Sequence, residues 1–294
     1  MTTYTTYDQV GRAEDVSDII SDITPTDTPF FSMIKSEKIS ARTFEWLEDS
    51  LADAAVNAAV EGADASMATL TAATSRTNTS QILTKAFQVS ATADSIKTYG
   101  RAKETAYQLG RALKEIKRDV ERAMVGVSQA AVTGSSSAAR KMASADQQIS
   151  GSTDAGSNST DPLTEAKLLV AGQAAYTAGS EPSVLMVKPA DSTIIAGFAA
   201  ASGRNREFAQ TKTLVNVIDL LVTPFGQYKV VLNRHQLTTH AFLIDPTMFK
   251  TAVLRPFSRT LLSKSGDSDK HFVVGEMSLK HSNFGDSHMI TGLS

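Results

Sequence analysis

RAKETAYQLGRALKEIKRDVERAMVGV, residues 101–127, is the stretch whose periodicity decides the architecture. Leu109, Leu113, Ile116, Val120, Ala123 and Val127 step by four, three, four, three and four, which lays one apolar stripe along a helix face. Such a helix runs about 40 Å at roughly 1.5 Å per residue. Its other face carries Arg111, Lys114, Glu115, Lys117, Arg118, Glu121 and Arg122. Pairs three and four apart on that face contribute only tenths of a kcal/mol each. The face is either solvated, as charge runs usually are, or it pairs with neighbouring copies of the chain.

Upstream, two strand-like stretches flank a weak middle. In KISARTFEWLEDSL, residues 38–51, Ile39, Phe44, Trp46 and Leu47 mark a strand with imperfect alternation. Ala52–Ala73 is mostly alanine with Asp, Glu, Gly and Thr, too poor in large side chains for a core of its own. TSQILTKAFQVSATA, residues 79–93, restores strand character, with Leu83, Phe87 and Val89 on one parity. The pair reads as a long hairpin, and a lone hairpin is marginal in water, so it must lie on something else.

Further upstream stands SDITPTDTPFFSMI, residues 21–34. Pro25 and Pro29 each fix φ and remove a donor, which disfavours helix or central strand and leaves an extended arm. Phe30, Phe31, Met33 and Ile34 form its apolar tip. That tip rests either on an adjacent copy of the chain or back on its own core. Before the arm, Val16, Ile19, Ile20 and Ile23 predict a short amphipathic helix over 12–23, and residues 1–11 read as a flexible polar end.

Downstream of the long helix, Thr133–Asp161 is rich in Ser, Gly, Ala and Asp and reads as a long connection with little core, either an exposed functional loop or a mobile insert. Asp161-Pro162 predicts a helix start, with Ala166, Leu169, Val170 and Gln173 on one face and Gly179 at the end. From Pro182 the texture alternates. SVLMV, TLVNVIDLLVT, QYKVVLN and AFLID read as strands, Pro224-Phe225-Gly226 as a turn, and Asp191 as the cap of a helix through Ile194, Ile195 and Phe198. TAVLRPF, KHFVVGEMSLKH and SHMITGL are returning strands. The fold class is α+β, with a mixed lobe that has its own sheet.

Composition narrows function mostly by exclusion. The hydrophobic fraction of 41% is ample for a core, and a net charge of -2 argues against a protein that coats nucleic acid through bulk basicity. Without cysteine there is no disulfide framework and no thiol chemistry. The amino end lacks a basic region followed by an apolar one, and no run approaches the roughly 18 apolar residues of a membrane span. His281 and His288 bracket Asn283 and Asp286, the best metal arrangement on offer, yet the spacing matches no metal motif. Gly134-Ser135-Ser136-Ser137-Ala138 approaches a nucleophile elbow but sits in a serine-rich loop. No catalytic residue, metal site or cofactor is assigned, and the chain is read as not an enzyme.

The order of parts is distinctive: an arm, a long hairpin, a long charged helix, a mixed lobe and returning strands. GRAEDVSDIISDITPTDTPFFSMI, FEWLEDSL with Glu61-Gly62 after it, RTNTSQILTKAFQVS, and the late DPTMFKTAVLRPFSRTLLSKSGDSDKHFVVGEMSLKHSN carry a resemblance. Together they resemble the major capsid protein of tailed bacteriophages with the Hong Kong 97-like fold, across essentially the whole chain. The resemblance implies an N-terminal arm at 1–36 and an extended hairpin loop at 37–92. It implies a peripheral domain with the spine helix at 93–135 and 250–283, an insertion or connecting loop at 136–160, and an axial domain at 161–249 and 284–294. It also implies self-assembly into hexamers and pentamers of an icosahedral shell enclosing double-stranded DNA, in the virion, put together in the host bacterial cytoplasm. Portal, scaffold and decoration or cement proteins are implied partners, with non-specific DNA contact and no membrane. Some members carry a long cleaved scaffold segment. Met1 here precedes the arm almost directly, so a separate scaffold or none is expected. Some members crosslink lysine to asparagine. Lys35, Lys38, Lys85 and Asn283 lie in the corresponding regions, and nothing in the sequence pairs them.

Contacts between subunits are accordingly expected at Phe30, Phe31, Met33, Ile34, Trp46, Phe87, Arg111, Lys114, Arg118 and Arg122. Two other readings compete. One is an encapsulin-type nanocompartment on the same fold, for which a cargo-peptide groove would be the sign. The other is a small-molecule enzyme in the 161–249 lobe, which would need a convergent polar site.

Overall fold

The structure, a computed structural model, describes residues 27–294 apart from 53, 63, 65, 66, 68, 69, 97–102, 155–160, 202–219 and 265. The helix expected at 12–23 lies outside the described residues, as does most of the strand expected at 213–223.

The chain begins with α1 (Pro29–Met33), one turn that starts on Pro29. Proline is harmless there, because the first amide of a helix has no intrahelical acceptor, so the expected break is instead a helix start. Next come β1 (Lys35–Lys38), β2 (Thr43–Glu48), β3 (Thr74–Thr79) and β4 (Gln81–Ser90). A short α2 (Ala91–Ser95) follows, capped by Ser90 Oγ, which accepts from Ala93 N. The long helix is α3 (Glu104–Val125), and α4 (Ala145–Gln148) and β5 (Gly151–Asp154) lie in the connection behind it. The remainder is α5 (Glu165–Thr177), β6 (Val184–Val187), α6 (Pro189–Ala201), β7 (Leu220–Thr223), β8 (Gly226–Leu232), β9 (Ala241–Ile244), β10 (Phe249–Leu262), β11 (Ser268–His281) and β12 (His288–Thr291).

Three sheets result. A four-stranded sheet has the order β1-β10-β11-β4, a six-stranded sheet β5-β12-β9-β6-β8-β7, and β2 pairs β3 alone. β10 and β11 form a long antiparallel pair with register shifts between Val253 and Arg255 and between Arg255 and Ser258. β1 joins β10 in parallel, from Lys35 opposite Lys250 to Lys38 opposite Val253.

Side-chain alternation along the strands places the core. Leu83 of β4 and Val273, Met277 and Leu279 of β11 share one parity and meet Ile116, Val120 and Met124 of α3. The same core takes Val184 and Met186 of β6 and Phe242 and Ile244 of β9, so it spans both large sheets. The alternate residues Leu185, Val187, Ala241 and Leu243 point into a second core with Leu168 and Ala171 of α5 and Ile195 of α6. A sheet covered on both faces explains why β6 and β9 read as unbroken apolar runs.

Several expectations are corrected. Leu113 is 45% exposed, and the buried line of α3 runs instead through Ala112, Ile116, Val120, Ala123 and Met124. α5 starts later than Asp161-Pro162, capped by Thr164 Oγ1, which accepts from Lys167 N at 3.3 Å. Its buried face is Leu168, Ala171, Gly172 and Ala175, while Val170 is exposed. The reason is close approach: a Cβ on Gly172 would lie 2.9 Å from Tyr228 Oη, so only small residues fit against that part of the sheet. Asp191 sits inside the first turn of α6, buried and 3.6 Å from Lys188 Nζ, rather than capping it.

The connection 136–160 is not devoid of core. Met142, Ala145 and Ile149 are buried. Polar side chains fasten it: Asn78 Oδ1 accepts from Ala143 N at 2.8 Å, Asn78 Nδ2 donates to Leu279 O at 2.6 Å, and Gln148 Nε2 donates to Ala143 O at 2.9 Å. β5 then pairs in parallel with β12.

Candidate assembly surface

Each expected contact residue has a definite place. Phe30 is fully buried and meets the Phe249 ring edge-on at 5.4 Å. Ile34 is buried in the same core, and Phe31 and Met33 lean on it with part of their surface open. Below them Glu121, read from sequence as part of a charged outer face, is fully buried. Its carboxylate accepts from Phe30 N at 3.0 Å, Phe31 N at 2.8 Å and Asn233 Nδ2 at 2.6 Å. Amides at a helix start lack intrahelical partners, and this carboxylate supplies them. Burial pushes the Glu121 carboxyl above its usual range, against the pull of the Phe31 and Phe30 amides and Asn233.

Trp46 stacks on Phe44 at 5.5 Å and faces Phe284 at 6.2 Å, buried within its own chain. Phe87 is half-buried, its ring 5.0 Å from that of His271. Phe30, Ile34 and Trp46 thus have partners within their own chain, in Phe249, Glu121 and the Phe44–Phe284 cluster.

The hairpin beyond β2 and β3 behaves differently. The ladder runs from Thr43 opposite Thr79 to Glu48 opposite Thr74 and stops there. Leu51 and Val56 are 97% exposed, and Leu47, Val60, Met67 and Leu70 are also exposed. Large apolar side chains are thus concentrated on a segment with no core of its own.

On α3, Arg111 pairs with Glu115 at 3.5 Å, and Lys85 reaches from β4 to Asp119 at 3.3 Å and Glu115 at 3.6 Å. Arg111, Lys114 and Arg122 are exposed and Arg118 is half-buried. In one chain this face is solvated, and its exposed pairs contribute little to stability. Burial, followed by Arg118, Arg122 and Arg234, pushes the His235 imidazole down from its usual range, which reports cations gathered near the end of α3.

Sequence reading missed a second carboxylate hub. Glu276 on β11 is buried and accepts from Arg140 Nη2 at 2.6 Å, Ser80 Oγ at 2.7 Å and Arg255 Nε at 3.1 Å. The available signal was an acid inside the mostly apolar run FVVGEMSL, residues 272–279.

His281 lies flat on Phe249 at 4.0 Å, with Nδ1 3.0 Å from Gln148 O, and burial pushes its pKa down to about 4. His288 Nε2 lies 2.8 Å from Thr153 Oγ1. Asp286 is pushed up to about 6 by burial and by the Asp245 charge. Among the described residues no group of three His, Cys, Asp or Glu is placed to hold a metal. A Ser, an Asp and a His do meet at Ser128, Asp146 and His240. Asp146 takes the centre, 2.5 Å from Ser128 Oγ and 3.0 Å from His240 Nε2, and its carboxyl is held down to about 2, chiefly by His240. The imidazole faces the carboxylate and not the Ser128 hydroxyl, and its Nδ1 lies 2.8 Å from Thr239 Oγ1, so the serine–imidazole contact of a catalytic triad is not made here. Among the described residues no helix is long and apolar enough to cross a membrane.

Comparison with known proteins agrees with this geometry. The whole chain, residues 1–294, matches the family described as SU10 major capsid protein. The major capsid protein of Escherichia phage Phieco32 is 31% identical over 332 aligned residues, covering 96% of this chain and 94% of that protein. Among solved structures, a subunit of the cyanophage A-1(L) capsid superposes with a TM-score of 0.69 at 12% identity, covering 98% of each chain. A subunit of the holo-SrpI encapsulin complex from Synechococcus elongatus PCC 7942 superposes with a TM-score of 0.63 at 7% identity, covering 100% of this chain and 96% of that one.

Proposed function

The chain belongs to the SU10 major capsid protein family, a phage capsid protein with the Hong Kong 97-like fold that assembles from copies of itself, and on that premise we propose how it builds a container. Copies associate as hexamers and pentamers of an icosahedral shell around double-stranded DNA. The observation that carries this reading is the hairpin, whose large apolar side chains are left uncovered by the chain's own core. Stable interfaces between obligate partners bury thousands of Å² and resemble a divided core, and exposed apolar residues supply such surface. Phe31, Met33, Phe87 and the charged face of α3 supplement it.

Lysines and arginines on the inner surface touch DNA without reading its sequence, so salt weakens the contact. Portal, scaffold and decoration proteins complete the particle in the bacterial host's cytoplasm. A nanocompartment subunit shares the fold, and the family match is what favours the capsid over it.

Expression of the chain alone, followed by negative-stain electron microscopy and analytical ultracentrifugation, tests the reading. Closed shells, tubes, pentamers or hexamers are expected. A compact monomer at high concentration that stays monomeric when a phage lysate supplies scaffold would overturn it.

A further inference from the structure

Charge is sorted along α3. In its middle the signs mix: Arg111 pairs with Glu115 at 3.5 Å, and Lys85 of β4 reaches Asp119 at 3.3 Å and Glu115 at 3.6 Å. Toward its end the last acid, Glu121, is buried under the arm, where it takes the Phe30 and Phe31 amides. Arg118 and Arg122, one turn apart, are therefore left without an ion-pair partner among the described residues.

A third guanidinium joins them from the turn between β8 and β9. That turn is fastened to the end of the helix. Asn233 Nδ2 donates to Glu121 at 2.6 Å, His235 N donates to Asn233 Oδ1 at 2.8 Å, and Leu237 N donates to Val125 O at 2.9 Å. Gly126 lets the turn approach, since a Cβ there would lie 2.2 Å from His235 O. Arg234 on this turn is exposed and has no ion-pair partner among the described residues. The three guanidinium groups converge on His235, whose imidazole is pushed down by burial and then by Arg118, Arg122 and Arg234, with Asp27 opposing them.

Resting on the shell reading above, we propose that Arg118, Arg122 and Arg234 form a docking site for the phosphodiester backbone of double-stranded DNA, so that the end of α3 faces the interior of the container. The planar guanidinium fork matches phosphate oxygens two at a time. Residues four apart stand about 6 Å apart along a helix, so Arg118 and Arg122 reach separate phosphates of a duplex whose charge recurs every ~1.7 Å of its axis. Three cations on a fixed helix end and turn hold backbone and read no sequence. The mixed signs around Glu115 and Asp119 suit a neighbouring copy, and the single sign at the end suits a polyanion. Asp8, Glu14, Asp15, Asp18 and Asp22 are also acidic, but they are interleaved with Val16, Ile19 and Ile20, for which these arginines offer no apolar host.

The salt dependence of duplex binding tests the site. Full-length subunits, kept unassembled by dilution, are titrated with a short mixed-sequence duplex by fluorescence anisotropy between about 50 and 200 mM salt. In the variant Arg118→Gln, Arg122→Gln, Arg234→Gln the slope of log K against log salt should flatten by about one unit for each arginine, about three in all. A control that removes three exposed cations elsewhere, Arg42→Gln, Lys141→Gln, Arg259→Gln, should keep the parental slope. Thermal melting checks folding, and Arg234→Gln alone, on an exposed turn, should flatten the slope by about one unit even where the triple variant is unstable. A parent that binds no duplex, or equal flattening in the control, would overturn the site. A folded triple variant that keeps the parental slope but no longer assembles in sedimentation velocity would overturn it too, giving the arginines to a contact between copies. Duplex binding that appears only once residues 1–26 are removed would give them to that acidic stretch instead. A parent chain that forms no particles with scaffold present would remove the shell reading and the inward orientation, whereas the salt slope would still show whether the arginines hold phosphate.

Discussion

The arm tip and the hairpin tip look alike as strings of residues and end in opposite places. Both put large apolar side chains on segments that cannot build a core. Phe30 of the arm has no exposed surface, whereas Leu51 of the hairpin is 97% exposed. What separates them is the fate of the backbone as much as of the side chains. The arm finds a carboxylate, Glu121, whose oxygens take the Phe30 and Phe31 amides, beside the Phe249 ring. The described hairpin residues beyond Glu48 find no such host in their own chain. A segment settles at home when donors and apolar surface are answered together, and is left for a neighbour when neither is.

The contrast can be broken at several strengths. Phe30→Ala should destabilise the isolated subunit by about 3–5 kcal/mol in urea titration, the cost of emptying a buried aromatic site. A change under about 1 kcal/mol would put the arm in the hairpin's class. Truncating residues 1–34 should therefore weaken the fold itself and not assembly alone. The floor on which the arm sits should show the same logic, with Ile116→Ala costing about 2–5 kcal/mol and Leu113→Ala less than about 1 kcal/mol. Equal costs would restore the regular stripe expected from the sequence.

Glu121→Gln should cost about 1–2 kcal/mol, because an amide nitrogen would then confront a backbone donor. Its pH dependence has a definite sign. A carboxyl whose folded pKa is raised stabilises most when protonated, so its contribution falls as pH rises from the ordinary glutamate range through the raised value. His281, held neutral by burial with a pKa of about 4, acts oppositely, losing stability as pH falls from its unfolded value toward 4. Subtracting the Glu121→Gln titration from that of the parent isolates the first slope, and identical titrations would refute the buried, raised carboxyl. The smallest effect on folding belongs to the hairpin: Leu51→Ala with Val56→Ala should leave subunit stability within about 0.5 kcal/mol while lowering the assembled fraction.

The sheets were legible because their strands announce themselves. VLMV, residues 184–187, and AFLI, residues 241–244, are buried on both faces, and that leaves an uninterrupted apolar signature. The existence of α3 was equally plain, but its buried edge was not. Near its end the helix is covered from two directions, by the sheet and by the arm with Asn233, so the buried sector widens to take in Val120, Glu121, Ala123, Met124 and Val125. A single-stripe period has no way to encode that. The 136–160 connection misled because Asn78 and Gln148 hold it through side-chain amides, and such bonds leave no periodic trace. The Glu276 hub was invisible for a simpler reason: Ser80, Arg140 and Arg255 are far apart in sequence and belong to no motif.

The four residues of β1 carry one more consequence. An unpaired strand edge is a template on which other chains polymerise. On its outer side β10 is closed by Lys35–Lys38 as far as Val253. Where that cover ends, the strand breaks register at Arg255 and Ser258 and carries Pro256 and Arg259. Proline, bulges and charge are all ways of spoiling an edge. A subunit whose arm has let go therefore bares the Lys250–Val253 stretch of β10, which has neither proline nor a break in register. Its failure would be seen as fibrous or amorphous polymer in the pellet, with monomer missing from the supernatant, and the arm is as much a stopper against wrong growth as a piece of the core.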